Sequence, residues 1–148
     1  MIVYRTLDVG LCLEVLTDSY IFDCISEDTA TIEDLKIDVI TDYWLSIEVE
    51  DQVIGVIQFK RMFKNCFDSH IHILRQYRKE HSISAGKAIL EWCNENISGS
   101  LLYTNVPDFC PNVKRFLLSF GFTEQGVLPS AWCKNGKMND MTILTKEI

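Results

Sequence analysis

The chain changes its hydrophobic period abruptly between residues 70 and 93, and this change constrains the fold more than any other feature. Ile71 and Ile73 alternate with His70 and His72, which is the two-residue period of a β-strand with one buried face. Further along, apolar residues recur at helical spacing, at Ala85, Ala88, Ile89, Trp92 and Cys93. The pattern predicts a strand that passes through a polar loop into a helix over residues 84–96.

The expected start of this helix favours the binding of an anion. Unpaired backbone N–H groups and the positive end of the helix dipole meet at a helix N-terminus, where phosphate groups bind readily. Ser84, Ala85 and Gly86 are small enough for a ligand to touch the backbone. Basic side chains lie close by in sequence, at Arg75, Arg78, Lys79 and Lys87. The segment predicts a phosphate site, although solvated surface charge would account for the same basic residues.

Two segments resemble the GNAT N-acyltransferases, which move an acetyl group from acetyl-CoA to an amine. That family's signature is Arg/Gln-x-x-Gly-x-Gly/Ala before a helix, and Tyr77-Arg78 together with residues 84–90 is similar to it. This chain has extra residues between Arg78 and Ser84, and Ser84 takes the place of the first glycine. Residues 112–122 are similar to a later family helix that ends in a Gly-Phe pair. The predicted order of elements, β-α-α-β-β-β-α-β-α-β-β, extends the resemblance over nearly the whole chain.

The resemblance implies an α/β (α+β) fold of the GNAT acyl-CoA N-acyltransferase type. We expect a mixed central sheet of about six or seven strands, flanked by about four helices, in a single domain over residues 1–148. Periodicity predicts strands at 1–6, 43–49, 53–60, around residues 70–73, 101–106, 122–131 and 141–145. Helices are predicted at 9–25, 31–37, 84–96 and from residue 111 onward, and Asn135-Gly136 predicts a hairpin turn.

The resemblance also implies acetyl-CoA as the cosubstrate. The backbone at the end of the histidine-containing strand and the loop from Arg78 to Lys87 would hold it. The expected cofactor-binding residues are Ile73, Arg78, Ser84, Ala85, Gly86, Lys87 and Asn112.

Candidate catalytic groups lie on the strand that leads into the predicted loop. Asp68, His70 and His72 are spaced by two residues and therefore share one strand face. A carboxylate or imidazole there can remove a proton from an ammonium group, and histidine has the better pKa for work near neutral pH. Two alternatives stay open. The three residues can simply form the polar side of a strand, or they can bind a metal, although spacing supplies no fourth ligand.

A proton donor for the leaving thiolate is harder to find. The resemblance implies a tyrosine four residues before the glycine of the Gly-Phe pair, but this chain has Leu117 there. Tyr103, on the preceding predicted strand, is the candidate substitute.

The charge and composition of the chain limit the kinds of partner that it is expected to bind. A formal net charge of −7 argues against the broad basic face that nucleic-acid binding requires, and suits an amine-bearing small molecule or protein. No window approaches the roughly 18 continuous apolar residues of a membrane span, so no membrane partner is expected. The N-terminus lacks the pattern of a secretory signal, which predicts a cytoplasmic protein.

A second hypothesis keeps the fold and loses the catalysis. The chain would then be a GNAT-fold binding or assembly protein. Short GNAT-like proteins with irregular phosphate loops are similar to some encoded by tailed phages, where an association with head morphogenesis has been suggested, and the location would be the host cytoplasm. A homodimer through exposed strand edges also stays open.

Overall fold

The computed structural model describes residues 1–148 and consists of one seven-stranded mixed sheet with helices on both faces. The strands are β1 (Ile2–Arg5), β2 (Tyr43–Val49), β3 (Gln52–Phe63), β4 (Cys66–Ile73), β5 (Leu101–Pro107), β6 (Thr123–Lys134) and β7 (Lys137–Glu147). The helices are α1 (Val9–Leu16), α2 (Ser19–Ile25), α3 (Arg75–Asn96) and α4 (Pro111–Ser119), with a 3-10 turn at Ile32–Asp34. The predicted fold class is confirmed.

The strands lie in the order β1-β2-β3-β4-β5-β7-β6. Every neighbouring pair is antiparallel except β4 and β5, which are parallel. The predicted hairpin joins β6 to β7, where Asn135 and Gly136 both have positive φ angles of 53° and 70°. These backbone angles are those that a tight two-residue hairpin turn requires.

Helices cover the two sheet faces and bury two groups of apolar side chains. On one face α3 and α4 bury a cluster of 16 residues that includes Leu45, Phe59 and Ile89. On the other face α1 and α2 bury a smaller cluster of seven residues around Trp44 and Val56. Because alternate residues of a strand point to opposite faces, neighbouring residues of β2 and β3 supply both clusters.

The first two predicted helices differ from those in the structure. Residues 9–25 form two helices, because the Asp18 side chain accepts hydrogen bonds from the amides of Tyr20 and Ile21, each at 3.1 Å, and so caps a new helix start. The helix predicted over 31–37 is only the 3-10 turn, which the Asp34 carboxylate closes by accepting from the Thr31 amide at 2.7 Å.

The largest correction concerns α3, which begins at Arg75 and not at Ser84. The stretch predicted as a polar loop contains good helix formers and no glycine or proline. Tyr77 and His81, four residues apart, contact each other with ring centroids 6.2 Å apart, and the Ser82 hydroxyl donates to the Arg78 carbonyl at 2.6 Å. These local contacts make the segment helical without a continuous apolar stripe.

Helix α4 ends as its sequence predicts. Gly121 adopts a left-handed φ of +81°, and its amide donates to the Leu118 carbonyl at 3.0 Å. This is the conformation that favours glycine just after a helix. None of the helices in this fold is both long and apolar enough to pass through a membrane.

Candidate active site

The central sheet opens between β4 and β5. These strands pair only through Cys66 with Leu101, Phe67 with Leu102, and Asp68 with Tyr103, and then part. We call the opening between residues 69–73 of β4 and 104–107 of β5 the fork. At its apex the Ser69 hydroxyl donates to the Tyr103 carbonyl at 3.1 Å.

The fork is an unfilled position in the hydrogen-bonding pattern of the sheet. β4 stays paired with β3 as far as Ile73, and β5 stays paired with β7 as far as Pro107, so each strand is held on its outer side. The inner edges have no strand between them, and their peptide groups need another partner. An extended ligand with amide groups is a suitable partner for such edges.

Asp68, His70, His72 and Tyr103 come together on the face of the sheet that α1 and α2 cover. Asp68 Oδ1 lies 2.9 Å from His70 Nε2, and the rings of His70 and His72 stack with centroids 6.5 Å apart. Tyr103 is the register partner of Asp68 across the last pair before the fork. The predicted shared face is therefore present, and it adjoins the opening.

The two histidines differ in their environment. Burial lowers the pKa of His72 to about 3, and the nearby His70 and Arg78 add to the effect. His72 is consequently neutral near pH 7. The His70 side chain is 33% exposed and lies beside the Asp68 carboxylate. No group of three or more histidine, cysteine, aspartate or glutamate side chains is arranged to hold a metal ion.

The true start of α3 lies at the open end of the fork, directly after β4. Its first turn carries Arg75 and Arg78, has no acidic residue and has no side-chain cap. Arg78 Nε donates to the Ile73 carbonyl at 2.7 Å. The guanidinium groups of Arg75 and Arg78 both lie over the ring of Tyr20 in α2, 4.8 Å and 4.7 Å from its centroid.

The expected phosphate cradle at residues 84–86 is wrong. These residues lie more than two turns inside α3, where backbone amides bond to carbonyls of the preceding turn. Ala85 and Gly86 are buried, and the Ser84 hydroxyl donates to the His81 carbonyl at 3.0 Å. A Cβ added to Gly86 would lie 2.5 Å from the Phe120 ring, so the glycine serves the contact between α3 and α4.

The remaining residues expected to bind cofactor do not form one site. Lys87 and Asn112 are exposed on different helices, and the Asn112 side chain accepts a hydrogen bond from Arg115. Ile73 and Arg78 do lie at the fork, where the arginine contacts the Ile73 carbonyl. Of the residues expected to bind cofactor, only Ile73 and Arg78 lie together, next to the start of α3.

Two features of this region are not apparent from the sequence. Tyr20 is at least 55 residues from its arginine partners in the sequence, and no local pattern connects them. Ser69, which joins the two strands at the apex, is a buried serine on the apolar side of the strand, and nothing in its sequence context indicates the fork. Leu117, as expected from the sequence, is buried and offers no proton.

Neither protein-family models nor curated protein sequences give a match to this chain. Solved structures do resemble it. Spermidine N-acetyltransferase from Vibrio cholerae, solved with CoA and spermine, has a TM-score of 0.78 at 15% identity, covering 98% of this chain and 94% of that one. Ribosomal-protein-alanine N-acetyltransferase from Brucella melitensis has a TM-score of 0.72 at 16% identity, with 100% of both chains covered.

A Salmonella typhimurium protein solved with its cofactor acetyl-CoA is also similar, with a TM-score of 0.73 at 15% identity and coverage of 99% and 93%. At such low identity the likeness concerns the fold. The near-complete coverage in both directions means that the whole arrangement of sheet and helices is shared. The chain therefore has the fold of the GNAT N-acyltransferases.

Proposed function

We propose that this protein transfers an acyl group from an acyl-CoA thioester, with acetyl-CoA as the simplest donor, to an amine. The observation that carries the proposal is the fork, which has proton-transferring side chains beside its apex and a basic helix start at its open end. When bound, the thioester supplies an electrophilic carbonyl carbon. The carbon–sulfur bond breaks as the carbon–nitrogen bond forms, the amine loses a proton, and the thiolate gains one.

The start of α3 is the proposed binding site for the diphosphate of CoA. Basic side chains in the first turn of a helix are unfavourable, because they face the positive end of the helix dipole. Arg75 and Arg78 nevertheless lie there, with Lys79 next in sequence. A bound phosphate group would relieve this repulsion and accept hydrogen bonds from the amides of Arg75 and Gln76, whereas the Tyr77 amide already donates to the Leu74 carbonyl at 3.0 Å. Contact of both guanidinium groups with Tyr20 restricts their orientation toward such a ligand.

His70 is the proposed general base. With Nε2 lying 2.9 Å from Asp68 Oδ1, Nδ1 is the ring nitrogen proposed to accept a proton from the incoming ammonium group, directly or through water. The Asp68 carboxylate is the proposed orienting group for this ring. His72 is unsuited to the same role, because its depressed pKa of about 3 makes it a weak base. Tyr103, which is paired with Asp68 on the adjacent strand β5, is the proposed proton donor to the thiolate.

The acceptor is proposed to be an amine-bearing small molecule or protein. The net charge of −7 favours the approach of a cation.

We also infer a cytoplasmic location from the sequence. A homodimer could form through β6, which is an edge strand whose side chains are exposed from Thr123 to Ala131. The alternative of a binding or phage head-assembly protein without catalysis has no supporting observation of its own.

Binding of CoA tests the first part of the proposal. Thermal unfolding with acetyl-CoA or CoA at about 100 times the dissociation constant should raise the Tm by at least about 5 °C. Arg75→Glu should weaken binding at least about tenfold, because it places a negative charge beside the diphosphate. The matched control is Lys64→Glu at the exposed turn between β3 and β4, near the closed end of β4. Absence of any shift at millimolar ligand would refute the proposal.

Substitution of the base tests the chemistry. The assay measures the CoA thiol that is released from acetyl-CoA in the presence of an acceptor amine. His70→Gln or Asp68→Asn should lower kcat about 100-fold, whereas the Kd for acetyl-CoA should stay within about threefold of its original value. His81→Gln, which changes a half-buried histidine of α3 away from the fork, is the control and should retain activity. Unchanged turnover in the His70 variant would remove this residue from the mechanism.

The environment of His72 predicts a dependence of stability on pH. Its pKa in the folded protein, about 3, lies below the ordinary 6.5, so between these pH values the unfolded chain binds a proton that the folded chain does not. The free energy of unfolding should therefore fall as the pH is lowered through this window. The upper limit for one group is about 1.4 kcal/mol per pH unit. We expect a smaller slope, because the His72 side chain is partly exposed. Chemical unfolding of His72→Gln should show a shallower slope. Parallel curves for both proteins would contradict the assignment.

A further inference from the structure

An apolar cavity of about 50 Å³ lies between the sheet, α3 and α4. Ten of its 12 lining residues are hydrophobic, and the other two are Ser69 and Gly86. No charged side chain lines it. An apolar cavity of this kind favours hydrocarbon over water, because water would find too few hydrogen-bond partners there.

The cavity adjoins the fork. Its sheet wall includes Ser69 and Ile71, which are the β4 residues just past the last pair with β5 and which point to the α3 and α4 side. The Ser69 hydroxyl donates to the Tyr103 carbonyl, so its proton is already used. A group bound at the apex of the fork could therefore extend into the cavity without crossing a layer of polar side chains.

Leu117 explains why the helix side of the cavity is apolar. It lies in the last full turn of α4 and lines the cavity together with Phe116 and Phe120. The leucine side chain has no hydrogen-bonding group. The close approach of α4 is fixed by Gly86 of α3, whose missing side chain leaves room for the Phe120 ring. The helix side of the cavity is thus formed by apolar residues of α3 and of the end of α4.

We propose that this cavity binds the hydrocarbon tail of the acyl group, so that the preferred donor is a short-chain acyl-CoA longer than acetyl-CoA. The inference rests on the proposed function, because it assigns the acyl class of the same thioester. A volume of about 50 Å³ holds roughly three to five particles of the size of water, at about 10–15 Å³ each. A methylene group is of similar size. The cavity therefore matches a tail of about three carbons beyond the thioester carbonyl, as in butyryl-CoA.

Calorimetric titration of the unmodified protein with CoA, acetyl-CoA, butyryl-CoA and octanoyl-CoA tests the proposal without knowledge of the acceptor. Each buried methylene should tighten binding roughly three- to fourfold, so butyryl-CoA, with two more methylenes, should bind roughly tenfold more tightly than acetyl-CoA. Octanoyl-CoA should bind no more tightly than butyryl-CoA. Equal affinity for acetyl-CoA and butyryl-CoA would overturn the inference, as would an affinity that keeps rising to octanoyl-CoA.

Two substitutions at Ile71 change the cavity in opposite directions. Ile71→Phe should fill it and abolish the roughly tenfold preference for butyryl-CoA over acetyl-CoA, whereas Ile71→Ala should enlarge it and shift the preference to a longer chain. Val113→Phe, on the exposed side of α4, is the control and should keep the preference of the unmodified protein. An unaltered preference in both Ile71 variants would contradict the assignment. If CoA and every thioester fail to bind, the proposed function itself fails.

Discussion

The parting of β4 from β5 after the Asp68 and Tyr103 pair is the constraint on which the rest of the structure depends. A β-sheet gains stability by pairing its peptide groups, so an interior gap survives only if each side is held independently. Here β3 holds β4 along its whole length, and β7 holds β5 along its whole length. The two halves of the sheet therefore stay apart as rigid units, and the Ser69 hydroxyl joins them at the apex.

The chemistry on either side of this gap follows from strand alternation. Residues 68, 70 and 72 of β4 face α1 and α2 and carry the ionisable groups, whereas residues 69 and 71 face α3 and α4 and line an apolar cavity. A thioester in the gap would have proton-transferring groups on one side and a site for hydrocarbon on the other. The basic first turn of α3 adds local positive charge to a protein with a net charge of −7.

Features set by local spacing could be predicted from the sequence. The shared face of Asp68, His70 and His72 follows from the two-residue strand period, and Gly121 follows from the conformation that ends a helix. The start of α3 could not be predicted, because residues 75–84 have helix-forming side chains without the apolar stripe that marks a helix in sequence. The prediction that Gly86 contacts a ligand is wrong for a related reason. A glycine that leaves space for a ligand cannot be distinguished in sequence from one that leaves space for a side chain such as Phe120. Only the packing of α4 against α3 distinguishes the two cases.

The fork itself depends on pairing between strands far apart in sequence, which no local pattern reports. Amide hydrogen exchange measured by NMR tests it most directly, with and without saturating CoA. In the free protein, amides of residues 69–73 and 104–106 that face the gap should exchange much faster than those of the paired residues 66–68, and bound CoA should slow them. Slow exchange at these positions in the free protein would mean that the two strands are paired, and unchanged exchange with CoA bound would mean that the ligand lies elsewhere.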